Sequence, residues 1–238
     1  MNRIIFYILI FFTVFALLLL VCCKKDKEDD PVLLEFGYDI DGNYYDTVRI
    51  GDQLWMAKNL MTTKYNNGGS ITNPTNHGEW DNYEIGAYCW YNDDVNNKYY
   101  GALYNWYAVS TGKLCPLGWR VPTTNDWDKL RDFIDTDANG DDNVAACDLK
   151  STVTEPEPHP RWDSVNVCAT NQTGFNALPA GYKFVYTFED LGEFAFWWAT
   201  NEYSDERAFA VSIRNDRLSL VKSNFNKCMG FSVRCIKD

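Results

Sequence analysis

Hydrophobic and polar positions divide the chain into an N-terminal apolar segment, a short charged segment and a long region of mixed pattern. Residues 4–21 are apolar except for Thr13, and residues 24–30 are all charged. In the mixed region, a period of two over residues 44–50 predicts a strand. Gly51 and Asp52 then predict a turn, and residues 54–56 predict a second extended or buried segment.

The clearest helical pattern follows Pro122. Thr123 is an expected N-cap, and Asp126 stands three residues later, which is a variant of the capping box. The apolar positions that follow fall on one helical face, namely Trp127, Leu130, Phe133 and Ile134. Residues 103–109 predict a second, shorter helix.

The last third of the chain is rich in short β-prone runs separated by turn-forming residues, at 184–188, 194–199, 208–214, 217–221 and 231–236. Phe209, Val211 and Ile213 alternate with smaller or polar residues, which predicts one buried face. Residues 64–97 show little periodicity and predict a long loop region. The expected fold class is therefore α+β, in a single domain with short antiparallel strands, one or two helices and long loops.

The apolar N-terminal segment has two interpretations. Its eighteen residues are just long enough to span a bilayer as a helix, so a retained membrane anchor is one of them. The second interpretation is a cleaved signal peptide. It is favoured by the position of the segment after Arg3, by the cysteines at its end and by the polar residues that follow. Leu20-Val21-Cys22-Cys23 resembles the bacterial lipobox, although Cys22 stands where Gly, Ala or Ser is usual.

The lipobox resemblance implies acylation of Cys23. We therefore expect a signal peptide at 1–22, a lipidated cysteine with a charged tether at 23–35, and a globular domain at 36–238. Several acyl chains would hold the protein on a membrane. The Lys- and acid-rich tether resembles those of Bacteroidetes lipoproteins bound for the cell surface, and charge runs of this kind are also ordinary solvated spacers. The expected location is the outer membrane, exposed at the cell surface.

Charge and aromatic content restrict the partners. A net charge of −11 and a pI near 4.6 argue against nucleic acid, whose phosphates need clustered Lys and Arg. Aromatic residues make up 16 % of the chain. Trp80, Trp90 and Tyr91 belong to a stretch without helical or strand period, which predicts an exposed platform for a glycan or a surface protein. An equally weighted alternative folds these rings back onto the core.

The cysteines after the lipobox are even in number, as expected for disulfides in an exported chain. Spacing alone leaves fifteen connectivities open. The only histidines, His77 and His159, are far apart and no cysteine pair has zinc-ligand spacing, so we expect no metal and no cofactor. The six cysteines after the lipobox are Cys89, Cys115, Cys147, Cys168, Cys228 and Cys235.

Several ordered blocks between residues 40 and 238 resemble the Fibrobacter succinogenes major paralogous domain family. This resemblance implies a fold related to C-type lectin-like domains and to the formylglycine-generating, sulfatase-modifying enzymes. It implies no reaction, since the family's biochemical function is not established. The blocks are residues 41–43 with 47–51, Trp55-Met56-Ala57-Lys58-Asn59-Leu60, residues 101–109, Cys115-Pro116-Leu117-Gly118-Trp119-Arg120-Val121-Pro122-Thr123 with Trp127, residues 174–182, and Ser232-Val233-Arg234-Cys235.

The lectin-like resemblance also implies a disulfide between Cys115 and Cys235, since such folds often tie a cysteine before the first helix to the last strand. Cys147 and Cys168 flank a proline-rich loop that forms an easily closed ring, and we expect them to pair. Cys89 with Cys228 then follows by elimination.

Two further motifs are weak. Six residues follow the first half of a calcium-binding loop, but Ala146 stands where a bidentate Glu should complete the shell, so a solvated acidic loop is favoured. Glu155-Pro156-Glu157 lacks the Asn of a sugar-binding triplet. The calcium-like residues are Asp135, Asp137, Asn139, Gly140, Asp141 and Asn143.

A catalytic function is less favoured by the sequence than a binding function. Formylglycine-generating enzymes need a reactive cysteine pair, for which Cys228 and Cys235 are the candidates, but exported thiols are normally oxidised. Hydrolase signatures such as G-x-S-x-G and H-E-x-x-H are absent from the sequence. We therefore expect a non-catalytic module that binds a glycan or a protein, with an enzyme of the formylglycine-generating fold as the alternative.

Overall fold

The computed structural model describes residues 37–74, 80, 84–137, 144–154 and 161–238. Phe36–Asp238 forms a compact unit. The predicted signal peptide, Cys23 and the tether lie outside the described residues. Within the described ranges, no helix is both long and apolar enough to cross a membrane.

Short strands make up most of the regular structure. They are β1 (Gly37–Tyr38), β2 (Tyr44–Tyr45), β3 (Thr47–Ile50), β4 (Gln53–Met56), β5 (Tyr88–Cys89), β6 (Leu103–Tyr104), β7 (Trp119–Arg120), β8 (Ala180–Phe184), β9 (Thr187–Leu191), β10 (Phe194–Glu202), β11 (Arg207–Arg214), β12 (Val221–Asn226) and β13 (Ile236–Lys237).

The described helices are fewer. They are α1 (Trp106–Ser110), α2 (Thr124–Asp137) and α3 (Ala145–Leu149), together with 3-10 helices at Tyr91–Asp93 and Val95–Tyr100. Few helices with mostly antiparallel strands confirm the expected α+β class.

Two sheets organise the domain. The larger has the strand order β12-β11-β10-β8-β9, in which only β10 and β8 are parallel neighbours. The smaller is antiparallel with the order β3-β4-β13-β7. Because β13 lies between β4 and β7, the end of the chain joins its first third to its middle.

The central strand β10 is buried on both faces. Trp197 packs into a hydrophobic cluster with Trp127 of α2, whereas Phe196 and Trp198 pack into a second cluster with Phe231. Successive side chains of a strand point to opposite faces, so this one strand contributes to both clusters.

The neighbouring strand β11 corrects a prediction. Val211 and Ile213 are buried as expected, but Ala208 and Ala210 on the opposite face are completely buried as well. The sheet is covered on both sides, so alternation between large and small residues does not here mark a solvent face.

Helix α2 begins as the capping pattern predicts. Asp126 N donates to Thr123 Oγ1 over 3.2 Å, and Thr123 N donates to Asp126 Oδ2 over 2.7 Å. Trp127, Leu130 and Ile134 are buried, but Phe133 is 46 % exposed, so its predicted place on the buried face is wrong. Phe133 directly precedes Ile134 and therefore lies on a neighbouring part of the helix surface. Its ring covers the turn at residue 51 instead of packing into the core.

Other element boundaries also differ from the predictions. Residues 103–109 are strand β6 followed by a helix that begins only at Trp106, where the Asn105 side chain accepts from Ala108 N. Residues 184–188 contain the turn between β8 and β9, and only the last residue of 217–221 lies in β12. In 231–236, Phe231 and Ser232 form isolated bridges and only Ile236 lies in a strand, β13.

Candidate functional site

Polar residues from two of the resembling blocks meet in a buried network. Asn59 Oδ1 accepts from Trp197 Nε1 over 2.8 Å and from Arg234 Nη2 and Nε over 2.7 and 3.1 Å. Asn59 Nδ2 donates to the backbone oxygen of Tyr100 over 2.8 Å. This network joins distant parts of the chain inside the core, so it serves the fold.

The guanidinium of Arg234 is completely buried. Its described hydrogen-bond partners are Asn59 and the backbone oxygens of Met56 and Phe175, none of which is a carboxylate. The guanidinium carbon also lies 4.3 Å from the Phe175 ring centroid. Burial lowers the pKa of Arg234 to about 9.

The block at residues 115–123 likewise supports the helix that follows it. Arg120 Nη1 and Nη2 donate to the two carboxylate oxygens of Asp126 over 2.6 and 3.1 Å. Burial tends to raise the pKa of Asp126, but the hydrogen bonds from Arg120 and Thr123 outweigh it and the pKa is lowered. Asp126 therefore stays ionised as the capping-box partner of Thr123.

The predicted aromatic platform is wrong. Trp80, Trp90 and Tyr91 are only 1 %, 8 % and 6 % exposed. Trp80 Nε1 donates to the backbone oxygen of Cys228, and the Tyr91 ring packs against Phe188 at 5.2 Å. These rings fold back onto the core, as in the alternative considered for them.

Two predicted disulfides are present in the structure. Cys115 and Cys235 are bonded with a Cα–Cα distance of 6.0 Å, and Cys147 and Cys168 with one of 5.0 Å. Because Cys235 is bonded to Cys115, it cannot form a reactive pair with Cys228. The cysteine pair that the formylglycine-generating alternative needs is therefore not formed by these two residues.

The third predicted disulfide, Cys89–Cys228, is not formed, and that prediction is wrong. The Cys89 side chain is buried in a cluster with Trp80 and Leu103, and burial raises the pKa of its thiol. Cys228 is only partly buried and its thiol interacts with the phenol of Tyr107. The two thiols thus have different neighbours.

The weak motifs lie mostly outside the described residues. This holds for residues 138–143 of the calcium-like loop and for Glu155-Pro156-Glu157. Asp135, at the start of that loop, accepts a hydrogen bond from Val144 N over 3.0 Å. Among the residues that the structure describes, no three His, Cys, Asp or Glu side chains form a group able to hold a metal ion.

A surface cleft of about 510 Å³ is a candidate ligand site in the described part of the chain. Its lining comes from two segments, residues 152–154 and residues 161–166. The groups that these segments offer are the hydroxyls of Thr152, Thr154 and Ser164, the amide of Asn166, the carboxylate of Asp163, the guanidinium of Arg161, and the apolar side chains of Val153 and Trp162.

Trp162 is the buried member of the lining. Its Nε1 donates to the backbone oxygen of Ala177 over 2.9 Å, which fixes the ring. The ammonium of Lys150 lies 5.7 Å from the ring centroid. Lys150 is itself completely buried and donates to three backbone oxygens, those of Val167, Asn215 and Arg217, and burial lowers its pKa to about 8.

Asp163 is held beside the β9–β10 turn. Its backbone N donates to the oxygen of Gly192 over 2.9 Å, and a Cβ at position 192 would come within 2.6 Å of the Asp163 carboxylate. Gly192 has a φ of +84°, which also favours glycine. This turn therefore sets where the carboxylate stands in the cleft.

One lining atom lacks a partner. Oδ1 of Asn166 is buried from solvent and accepts no hydrogen bond from the residues that the structure describes. A buried acceptor left unsatisfied costs about 1–3 kcal/mol, so this amide oxygen is a polar group of the lining that the described residues leave unsatisfied. The described lining otherwise suits recognition through hydrogen bonds, and it contains no cysteine, histidine or lysine.

Sequence reasoning did not find this cleft. Aromatic residues are dense in 80–100, whereas the described lining of the cleft contains a single tryptophan. The signal that was available is the ring between Cys147 and Cys168, which encloses Trp162 among polar residues.

Comparison with known proteins agrees with the blocks described above. The family model of the Fibrobacter succinogenes major domain matches residues 48–237. No curated protein and no solved structure matches the chain. Because the matched region covers most of the sequence, the chain belongs to the Fibrobacter succinogenes major domain family.

Proposed function

We propose that the protein is an envelope-anchored, non-catalytic module that binds a glycan in the cleft beside Trp162. Asn166 carries this proposal, because it lines the cleft and its Oδ1 has no hydrogen-bond partner among the described residues. A sugar hydroxyl donates and accepts, so it suits Asn166 and Asp163 as acceptors and Arg161 as donor. Phosphate and carboxylate groups only accept hydrogen bonds, and the net charge of −11 opposes their approach.

A glycan array probed with the mature chain in detergent tests the proposal. Neutral oligosaccharides should be retained, and Asn166→Ala should lose most of that retention. Asn176→Gly is the matched control, because Asn176 also has a buried Oδ1 without a hydrogen bond but does not line the cleft. Retention of peptides alone, or equal retention by wild type and Asn166→Ala, would contradict a glycan site here.

The membrane partner and the location belong to the same proposal. The apolar run and the lipobox-like Cys22-Cys23 support acylation of Cys23, and the charged tether supports display on the outer face of the outer membrane. Mass spectrometry of the N-terminal peptide should show acyl chains on Cys23, and protease treatment of intact cells should remove the domain. An intact Met1 terminus would contradict the anchor.

We also propose that the fold is related to C-type lectin-like domains. The Cys115–Cys235 bond supports this, because it ties the segment before α2 to the residue preceding the last strand. An experimental structure superposed on lectin-like domains tests the relation, and different strand connectivity would refute it.

A further inference from the structure

Three apolar side chains are exposed near the point where the chain enters the domain. Tyr38 and Ile40 of the β1–β2 hairpin are 60 % and 46 % exposed, and Leu117, in the turn before β7, is 82 % exposed. A single exposed apolar residue is ordinary, so what matters is whether these three belong to one surface.

Direct contacts connect the hairpin to the segment before β7. Ile40 lies against Gly68, where a Cβ would be 3.8 Å from Ile40 Cδ1. Two positions before that glycine, Asn66 N donates to the backbone oxygen of Lys113 over 2.8 Å, and Asn66 Nδ2 donates to that of Cys115 over 2.9 Å. The segment that leads to β7 is therefore a neighbour of the β1–β2 hairpin.

The Trp119 ring connects the same elements from the other side. Gly37, where β1 begins, lies against this ring, and a Cβ there would be 3.8 Å from it. Lys237 Nζ lies 5.2 Å from the ring centroid, and a Cβ at Gly118 would be 3.4 Å from that ammonium. The three exposed apolar side chains thus surround the entry of the chain, and an apolar patch of this kind marks an interaction surface.

The charges at this surface suit lipid phosphates. Lys113 and Lys237 are both exposed on it, and no ion pair joins either of them to another described residue. The nearby carboxylates of Asp41 and Asp238 are each paired with a cation, over 3.0 and 3.6 Å. Apolar side chains accompanied by lysines are the composition with which a protein surface enters the headgroup region of an anionic membrane.

The length of the preceding segment limits how far this surface can lie from a membrane. Fourteen positions separate Cys23 from Gly37, and an extended chain spans at most about 3.5 Å per residue. The entry of the domain therefore stays within roughly 50 Å of a membrane that holds Cys23. This applies to an acylated Cys23 and to a retained apolar helix alike, because both end at the same place in the chain.

We propose that Tyr38, Ile40 and Leu117 form a docking surface for the anionic lipid membrane in which the chain is anchored. The apolar side chains enter the headgroup region, and Lys113 and Lys237 contact lipid phosphates. Docking fixes the orientation of the domain, and with it that of the ligand cleft, on the membrane. This rests on the membrane anchor proposed above.

Hydroxyl-radical footprinting followed by mass spectrometry tests the docking. The protein purified from membranes is reconstituted into vesicles of phosphatidylcholine, with or without phosphatidylglycerol. With phosphatidylglycerol, the labelling of Tyr38 and Leu117 should fall severalfold relative to that of Tyr203. Tyr203 is the internal reference, because it is 58 % exposed and follows β10 in the larger sheet.

Variants separate the two parts of the surface. Leu117→Ser should return the labelling of Tyr38 to its value on phosphatidylcholine. Lys113→Gln should weaken docking about fivefold, the effect of one lysine near an anionic surface. Tyr186→Ser is the matched control, because Tyr186 is 61 % exposed in the turn between β8 and β9, and it should leave the labelling of Tyr38 unchanged.

Two outcomes overturn the docking surface. One is the same relative labelling of Leu117 on both kinds of vesicle. The other is unchanged labelling of Tyr38 in Leu117→Ser.

The mass of the N-terminal peptide, measured in the same samples, tests the anchor separately. If Cys23 carries no acyl chain, the proposed lipid anchor fails. The footprint still decides whether the surface docks, because the chain is then held in the vesicle by its apolar segment.

Discussion

Replacing Asn59 with alanine should destabilise the domain far more than an ordinary polar substitution. Its Oδ1 accepts three hydrogen bonds, one from Trp197 and two from the buried guanidinium of Arg234. Leaving a buried donor unsatisfied costs about 1–3 kcal/mol, and more when the donor is charged. We expect Asn59→Ala to lower the free energy of unfolding by about 3–5 kcal/mol.

The physical reason can be separated from simple loss of packing with a second substitution. Arg234→Met removes the buried cation, so Asn59→Ala in that background leaves only the Trp197 indole, the Ser232 hydroxyl and backbone groups without their partner. The cost of Asn59→Ala should then fall by about 2 kcal/mol, which is the coupling energy of a double-mutant cycle between neighbours. Asn67→Ala is the surface control, because exposed Asn67 accepts only a local bond from Gly69 N, and it should cost less than about 1 kcal/mol.

Urea denaturation followed by tryptophan fluorescence, with the disulfides intact, measures all four corners of this cycle. The reasoning is refuted if Asn59→Ala costs the same in both backgrounds. It is also refuted if Asn59→Ala costs no more than Asn67→Ala.

Three further expectations follow from the charges and thiols. Between pH 8 and 10 the wild type should gain stability relative to Lys150→Met. Burial lowers the pKa of Lys150 to about 8, so in this range the unfolded chain keeps a proton that the folded chain releases. If the free energies of unfolding from urea denaturation change with pH in parallel for the two proteins, this expectation is contradicted. Asp126→Ala should cost about 1–3 kcal/mol in thermal denaturation, since Thr123 loses its capping partner; an unchanged melting temperature would argue against that role. In the folded protein a thiol reagent should label Cys228 and spare Cys89, because burial raises the pKa of Cys89 and shields its thiol; equal labelling by mass spectrometry would be inconsistent with the buried position.

Local interactions were the part of the fold that the sequence could predict. The start of α2 depends on Thr123 and Asp126, which are three residues apart, and the capping pattern contains all the information needed. The Cys147–Cys168 bond closes a short ring and was likewise accessible from spacing and prolines. The pairing of Cys115 with Cys235 spans 120 positions and came only from a resemblance.

Burial of the aromatic residues depends on partners that local patterns cannot reveal. Trp80 stands in a stretch without periodicity, yet its indole donates to the backbone of Cys228, 148 positions away. Asn59 and Arg234 are 175 positions apart, and each would look like a surface residue without the other. Whether a polar or aromatic side chain in an irregular segment is exposed or buried therefore depends on which distant residues pack against it. The cleft shows the converse, because its described lining is local in sequence, although Gly192 and Asn215 accept hydrogen bonds from the backbone of Asp163 and Val167.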